Sequence, residues 1–167
     1  MNRDVFARDT QRDMGRPYTR SNYCHLYING TYWGLYQTQE RAEAAYAATY
    51  FGGQREDYDV VKVAADIRYT IEATDGDLIS WWAVFGLAQQ GFESDENYYR
   101  LQGKNSAGIR DPDANIMVDI DNLIDYMLIV FYGGNFDGPV SSSSNKKPNN
   151  FFAIYDRRGE TGFRFFA

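Results

Sequence analysis

An apolar helix that ends in two glycines and is followed at once by polar residues most constrains what this chain can fold into. Hydrophobic side chains recur at helical spacing through residues 119–132, which predicts a mostly buried helix. Two aspartates open the segment, where unpaired N–H groups and the positive end of the helix dipole favour acceptors. Gly133 and Gly134 end the helix. Asn135 and Asp137 are therefore predicted to lie at the edge of an apolar scaffold.

Two aromatic segments near the end of the sequence, residues 151–156 and 162–167, flank a short turn and predict a β-hairpin. Asn149 and Asn150 come directly before the first strand. Protein kinases have the same order of parts in their catalytic segment, where a loop aspartate accepts the substrate hydroxyl proton and an asparagine binds a metal ion. The residues alone leave a second interpretation open, in which these polar groups only cap the helix and turn the chain.

A second strong local signal is a hairpin over residues 23–39. Its two strands are joined by Asn29-Gly30, the preferred pair for a two-residue type I′ turn. His25, the single histidine, lies in the first strand. Because no nucleophile partner is evident, an exposed or hydrogen-bonded histidine is favoured over a catalytic base. The alanine-rich residues 40–50 then predict a helix.

The remaining elements are weaker predictions: helices over residues 2–14, 78–90 and 94–101, and a strand over residues 59–63. Trp81 and Trp82 in the second of these helices could stack on a ligand, but core packing is favoured. Residues 102–115 are predicted as a polar loop.

Two sets of basic residues could contact phosphate. Lys62, inside an apolar strand, could place its ammonium on a nucleotide phosphate or reach solvent from an edge strand, and the residues leave both possibilities open. The N-terminal segment carries five arginines among aspartates, which favours a solvated face of ion pairs over a phosphate site. These arginines are Arg3, Arg8, Arg12, Arg16 and Arg20.

The composition excludes several classes of protein. The 167 residues suffice for one domain with its own core. A net charge of −6 argues against nucleic acid as the main partner, since that binding needs clustered basic residues. The single cysteine, Cys24, excludes an internal disulfide. The longest apolar run is too short to span a bilayer.

Two segments of the sequence resemble the spore coat protein H (CotH) kinase-like family. One is the hairpin sequence Tyr-Ile-Asn-Gly-Thr-Tyr-Trp-Gly-Leu-Tyr that leads to Glu40, and the other is the Asn-x-Asp of residues 135–137 with the later Asn-Asn pair. The resemblance covers roughly residues 14–51 and 119–167. The family's next part, a strand leading to a metal-binding aspartate, is not reached. We therefore expect a fragment that is incomplete at both ends and inactive alone.

The resemblance implies an α+β fold of the atypical, two-lobe protein-kinase type, with residues 1–167 as one domain. Residues 1–63 would form part of a small sheet-rich lobe, and residues 70–167 a helical lobe that carries the aromatic hairpin. The resemblance implies the following roles: Asp137 is catalytic, Asn150 binds Mg²⁺ or Mn²⁺, and Lys62 and Glu40 bind ATP.

In this interpretation the parent protein transfers the γ-phosphate of ATP to serine or threonine hydroxyls of a surface or coat protein, in an exported bacterial setting. The alternative is a non-catalytic, kinase-shaped module that serves adhesion or assembly in a larger bacterial surface protein. The asparagines follow Asp137 by twelve and thirteen residues, whereas kinases have five. The longer loop could return to the site or indicate a degenerate one.

Overall fold

The computed structural model describes residues 2–64, 70–139 and 147–167. Its helices are α1 (Asn2–Asp13), α2 (Ala44–Phe51), α3 (Ile79–Gln89), α4 (Asp95–Leu101) and α5 (Ile120–Tyr132). Its strands are β1 (Ser21–Ile28), β2 (Thr31–Gln39), β3 (Tyr58–Val63), β4 (Ile71–Asp75), β5 (Phe152–Asp156) and β6 (Arg164–Phe166). This mixture of helices and antiparallel strands agrees with the predicted α+β class. Among the described residues, no helix is long and apolar enough to cross a membrane.

A four-stranded antiparallel sheet in the order β4-β3-β5-β6 organises the core. Val60 pairs with Ile154 and Val61 with Ala153, so β3 lies between β4 and the C-terminal hairpin. Within the described part of the chain, strand β3 thus pairs with β4 and with the C-terminal hairpin, and not with the N-terminal hairpin beside which the predicted lobes placed it. Val60 and Val61 point to opposite faces and are both fully buried, which requires neighbours on both edges and cover on both faces.

Each face of the sheet packs against different helices. Residues of α2 cover the face that carries Val60 and Ile154. Residues of α3 and α5 cover the face that carries Val61 and Ala153. Trp81 belongs to this second core and stacks on Phe151 with ring centroids 5.3 Å apart, whereas the neighbouring tryptophan is half exposed. Strand β4, which was not predicted, closes one edge of the sheet.

Buried amides complete the hydrogen bonding of the opposite edge. Asn122 of α5 accepts from the main-chain N–H of Phe165 and donates to its carbonyl oxygen. Gln11 of α1 donates to the same oxygen at 2.7 Å and accepts from the N–H of Ala167. Both amide residues are fully buried. Because an open strand edge in the interior must find partners, these contacts fix α1 and α5 against β6.

The hairpin of β1 and β2 forms as predicted. Asn29 and Gly30 both have positive φ, 48° and 80°, as a type I′ turn requires. Within the described residues its two strands pair only with each other. At the surface, Nδ1 of His25 shares a 3.1 Å hydrogen bond with the hydroxyl of Tyr32, which agrees with the interpretation of His25 as an exposed, hydrogen-bonded histidine.

Candidate functional site

A cavity of about 1030 Å³ lies between α1, the end of β2, the C-terminal end of α5 and the start of β5. We call it the α1–α5 cavity. Glu40, Asp137 and Asn150, which are far apart in sequence, all line it. Its size is that of a pocket for a small-molecule ligand or cofactor. Three of the four residues to which the sequence analysis assigned a site role therefore lie around one space.

The end of α5 places Asp137 at this cavity. Gly134 has φ +58°, so the chain leaves the helix through a left-handed residue. The N–H of Asn135 donates to the carbonyl oxygen of Val130 at 3.0 Å. The side chain of Asn135 then accepts from the N–H of Asp137 at 3.2 Å, which forms a side-chain-stabilised turn. Asn135 thus caps and turns the chain, and Asp137 is left exposed beside the cavity.

The two asparagines before β5 reach back to this turn. The side-chain nitrogen of Asn149 donates to the carboxylate oxygen Oδ1 of Asp137 at 3.1 Å and to its carbonyl oxygen at 3.0 Å. The side-chain nitrogen of Asn150 donates to the same carbonyl oxygen at 2.8 Å. Because a carbonyl oxygen only accepts hydrogen bonds, the side chains of Asn149 and Asn150 both direct their NH2 groups toward Asp137. The carbonyl oxygen of the Asn150 side chain is not used by that bond and could bind a cation.

Asn149 is a residue that the site prediction did not select. It is 7% exposed, whereas Asn150 is exposed and has positive φ, 34°. The buried asparagine makes the contact with the carboxylate, and its neighbour makes the turn into β5. The Asn-Asn pair in the sequence indicated both residues, but the sequence does not show which one contacts the carboxylate and which one forms the turn. The serine-rich loop that lengthens this spacing lies mostly outside the described residues.

Glu40 lines the cavity, and its carboxylate is hydrogen-bonded to other residues of the chain. It accepts from the main-chain N–H of Arg20 at 2.8 Å and from the hydroxyl of Tyr50. Burial acts to raise the pKa of Glu40, but these hydrogen bonds and the positive charge of Arg20 outweigh it and lower the pKa. The main-chain N–H of Glu40 also donates to the carbonyl oxygen of Arg20 at 2.9 Å, so the hairpin pairing extends to this residue. Helix α2 begins at Ala44, four residues later than predicted.

The structure does not bring Lys62 to the cavity. Its ammonium lies 3.0 Å from a carboxylate oxygen of Glu72 on β4. Strand β3 is an inner strand, so Lys62 does not reach solvent from an edge as one interpretation supposed. Its register partner on β5 is Phe152, which does line the cavity. The role of Lys62 in nucleotide binding stays a prediction.

The N-terminal arginines divide into two groups. Arg12 pairs with Asp9 at 3.0 Å, and Arg16 pairs with Asp125 of α5 at 2.5 Å, as the ion-pair interpretation predicts. Arg3 and Arg8 instead line the α1–α5 cavity. Arg8 is 3% exposed, which the alternation of charges in the sequence does not suggest.

The donors around the cavity suit a hard cation in part. Carboxylate and amide oxygens are the ligands that Mg²⁺ and Mn²⁺ prefer, commonly with substrate phosphates and water completing the shell. Asp137 and Asn150 supply one of each. In the part of the chain that the structure describes, no three acidic, histidine or cysteine residues come together as a metal site. A cation here would thus depend on phosphate oxygens as further ligands.

Comparison with known proteins identifies the family. A comparison with curated proteins found no match. The family described as CotH kinase protein matches residues 1–161 of the 167-residue chain, which includes α1, the strands up to the turn after β5, and the cavity residues Glu40, Asp137 and Asn150. The chain therefore belongs to the CotH kinase family and is a kinase-like protein.

Proposed function

We propose that this domain is part of an ATP-dependent protein kinase that transfers the γ-phosphate of ATP to a serine or threonine hydroxyl of a surface or coat protein. A two-lobe kinase-like arrangement would enclose the nucleotide. The observation that supports the proposal most directly is that Asp137 and Asn150 meet at one cavity, with Asn149 hydrogen-bonded to the Asp137 carboxylate, in a member of the CotH kinase family. Phosphoryl transfer requires mainly positioning and charge stabilisation, which such a site can provide.

In this proposal Asp137 aligns the acceptor hydroxyl and takes its proton. The hydrogen bond from Asn149 engages Oδ1, so the carboxylate is held in one orientation while Oδ2 is not used by that bond. A fixed carboxylate within reach of the hydroxyl meets the geometric requirement of a general base.

The same proposal assigns nucleotide and metal contacts. Asn150 and Asp137 would hold Mg²⁺ or Mn²⁺ together with phosphate oxygens of ATP, and the bound metal would offset negative charge on the transferred group. Glu40, tied to Arg20 and Tyr50, would maintain the wall of the nucleotide site. Lys62 would contact phosphate only after exchanging its ion pair with Glu72.

The test is Asp137→Asn in the full-length protein, measured as transfer of labelled phosphate from ATP to protein. We expect transfer to fall by about 10²–10⁴, the usual contribution of a general base. Mg–ATP affinity, measured by calorimetry, should change by less than about threefold, since a neutral amide keeps an oxygen ligand. Asp113→Asn, an exposed change in the loop before α5, serves as the matched control. Wild-type transfer by Asp137→Asn would refute the assigned role.

A further inference from the structure

Arg8 is a buried cation for which the described chain supplies no complete set of partners. It lies in the middle of α1 and is 3% exposed. Its Nε and Nη2 atoms are buried, and among the described residues neither has a hydrogen-bond partner. Yet Arg8 lines the α1–α5 cavity. A guanidinium group presents its donors as a planar fork.

An unpaired buried charge is strongly unfavourable, so natural proteins pair such groups or use them to bind a ligand. Acids were available in this segment, since Arg12 pairs with Asp9 and Arg16 pairs with Asp125. Asp4, one helical turn before Arg8, also lines the cavity, but no ion pair joins the two side chains. The unsatisfied donors of Arg8 therefore indicate an anion that none of the described residues supplies.

The charges around the cavity favour phosphate as that anion. Arg3, Arg8 and Arg41 line it with Asp4, Glu40 and Asp137. Arg20 offsets the charge of Glu40, and Glu43 offsets that of Arg41. Arg3 and Arg8 thus lie on the α1 wall, while Asp137 and the metal-ligand oxygen of Asn150 lie on the wall formed by the end of α5 and the start of β5. A ligand with several anionic groups and a bound cation satisfies both walls.

We propose that Arg8 binds the polyphosphate chain of the nucleotide, donating hydrogen bonds from its fork to phosphate oxygens. This inference rests on the proposed nucleotide site but names a residue and a contact beyond it. Nε and Nη2 are screened from solvent in the free protein. To reach an anion in the cavity, the guanidinium group therefore turns toward it when the anion enters. Arginine suits this contact, since its fork matches two phosphate oxygens at once.

The test uses Arg8→Met, which keeps length and removes charge, with Arg12→Met as the matched control on the exposed face of the same helix. Magnesium–ATP, tripolyphosphate and a phosphoserine peptide are the three ligands, measured by calorimetry and by thermal stabilisation of the full-length protein. We expect Arg8→Met to bind ATP and tripolyphosphate about tenfold more weakly or worse, as loss of a charge-assisted bond implies. It should also raise the Tm of the free protein, because an unpaired buried charge is removed.

The outcomes separate this inference from the proposed kinase function. Tripolyphosphate binding that depends on Arg8 supports the inference even if no phosphate transfer is found. Unchanged ATP and tripolyphosphate binding by Arg8→Met overturns it, even if the full-length protein is an active kinase. Dependence on Arg8 only for the phosphoserine peptide also overturns it, since the anion would then belong to the protein substrate. A lower Tm in free Arg8→Met, with binding intact, would assign Arg8 a structural role.

Discussion

Replacing Asn149 gives a direct test of how the candidate site is held together. Its side-chain nitrogen contacts three oxygens: Asp137 Oδ1, the Asp137 carbonyl and the Gly138 carbonyl. Asn149→Ala removes this donor from a position that is 7% exposed. An acceptor left unsatisfied in such a place costs about 1–3 kcal/mol. We therefore expect the free energy of unfolding to fall by about 1–3 kcal/mol.

Asn149→Asp is a sharper test because it keeps the shape of the side chain but replaces its NH2 donor with a negatively charged acceptor. A carboxylate at this position would lie about 3.1 Å from the Asp137 carboxylate. It would also face the carbonyl oxygens of Asp137 and Gly138, which cannot donate to it. Two unit charges at 3.1 Å repel by about 1 kcal/mol even at the dielectric constant of water. We expect Asn149→Asp to be less stable than Asn149→Ala by about that amount at pH 7, although it is the closer match in volume.

Urea unfolding followed by tryptophan fluorescence and circular dichroism measures both variants. If Asn149→Asp is as stable as the wild type, or more stable than Asn149→Ala at pH 7, Asn149 only fills space. In that case Asn149 does not orient Asp137.

Three further predictions test the fold around the site. Asn122→Ala leaves a buried N–H of β6 without its acceptor and should lower the free energy of unfolding by about 2–4 kcal/mol in urea; a loss below about 0.5 kcal/mol would contradict this. Burial acts to raise the pKa of Asp156, but the hydrogen bonds and charge of Arg158 outweigh it and lower the pKa. This carboxylate therefore stabilises the fold above about pH 4, and the contribution is lost as the pH falls through the lowered pKa. The Tm should decline more steeply with acid in the wild type than in Asp156→Asn. Gly162 has φ +69°, and an added Cβ would meet the main-chain nitrogen of Val118 at 2.6 Å, so Gly162→Ala should lower Tm by several degrees in calorimetry, whereas an unchanged Tm would show that the turn adapts.

Local chemistry explains the elements that the sequence predicted well. The Asn29-Gly30 turn, the apolar period of α5 and the glycines after it act within a few residues, so their outcome does not depend on the rest of the fold. The pattern Asn-x-Asp followed by Asn-Asn predicted that these residues lie close together, and the side chain of Asn150 does contact the main chain of Asp137.

Long-range contacts decided the parts that the sequence did not predict. An apolar strand such as β3 can pair with several partners, because β-propensity and alternation do not name a neighbour. Its position beside β5 follows from burial on both faces. The late start of α2 accompanies the pairing of Glu40 with Arg20, twenty residues away.

The sequence alone predicted the family, the main helices and the hairpins, because each depends on residue type and short spacing; the roles of Asp137 and Asn150 stay predictions. Only the tertiary structure decided that Asn149 orients Asp137, that Lys62 pairs with Glu72, and that Arg8 is buried against the cavity without a partner. The physical reason is that burial and pairing depend on which distant surfaces meet, and charge alternation along α1 is the same whether an arginine faces water or a cavity.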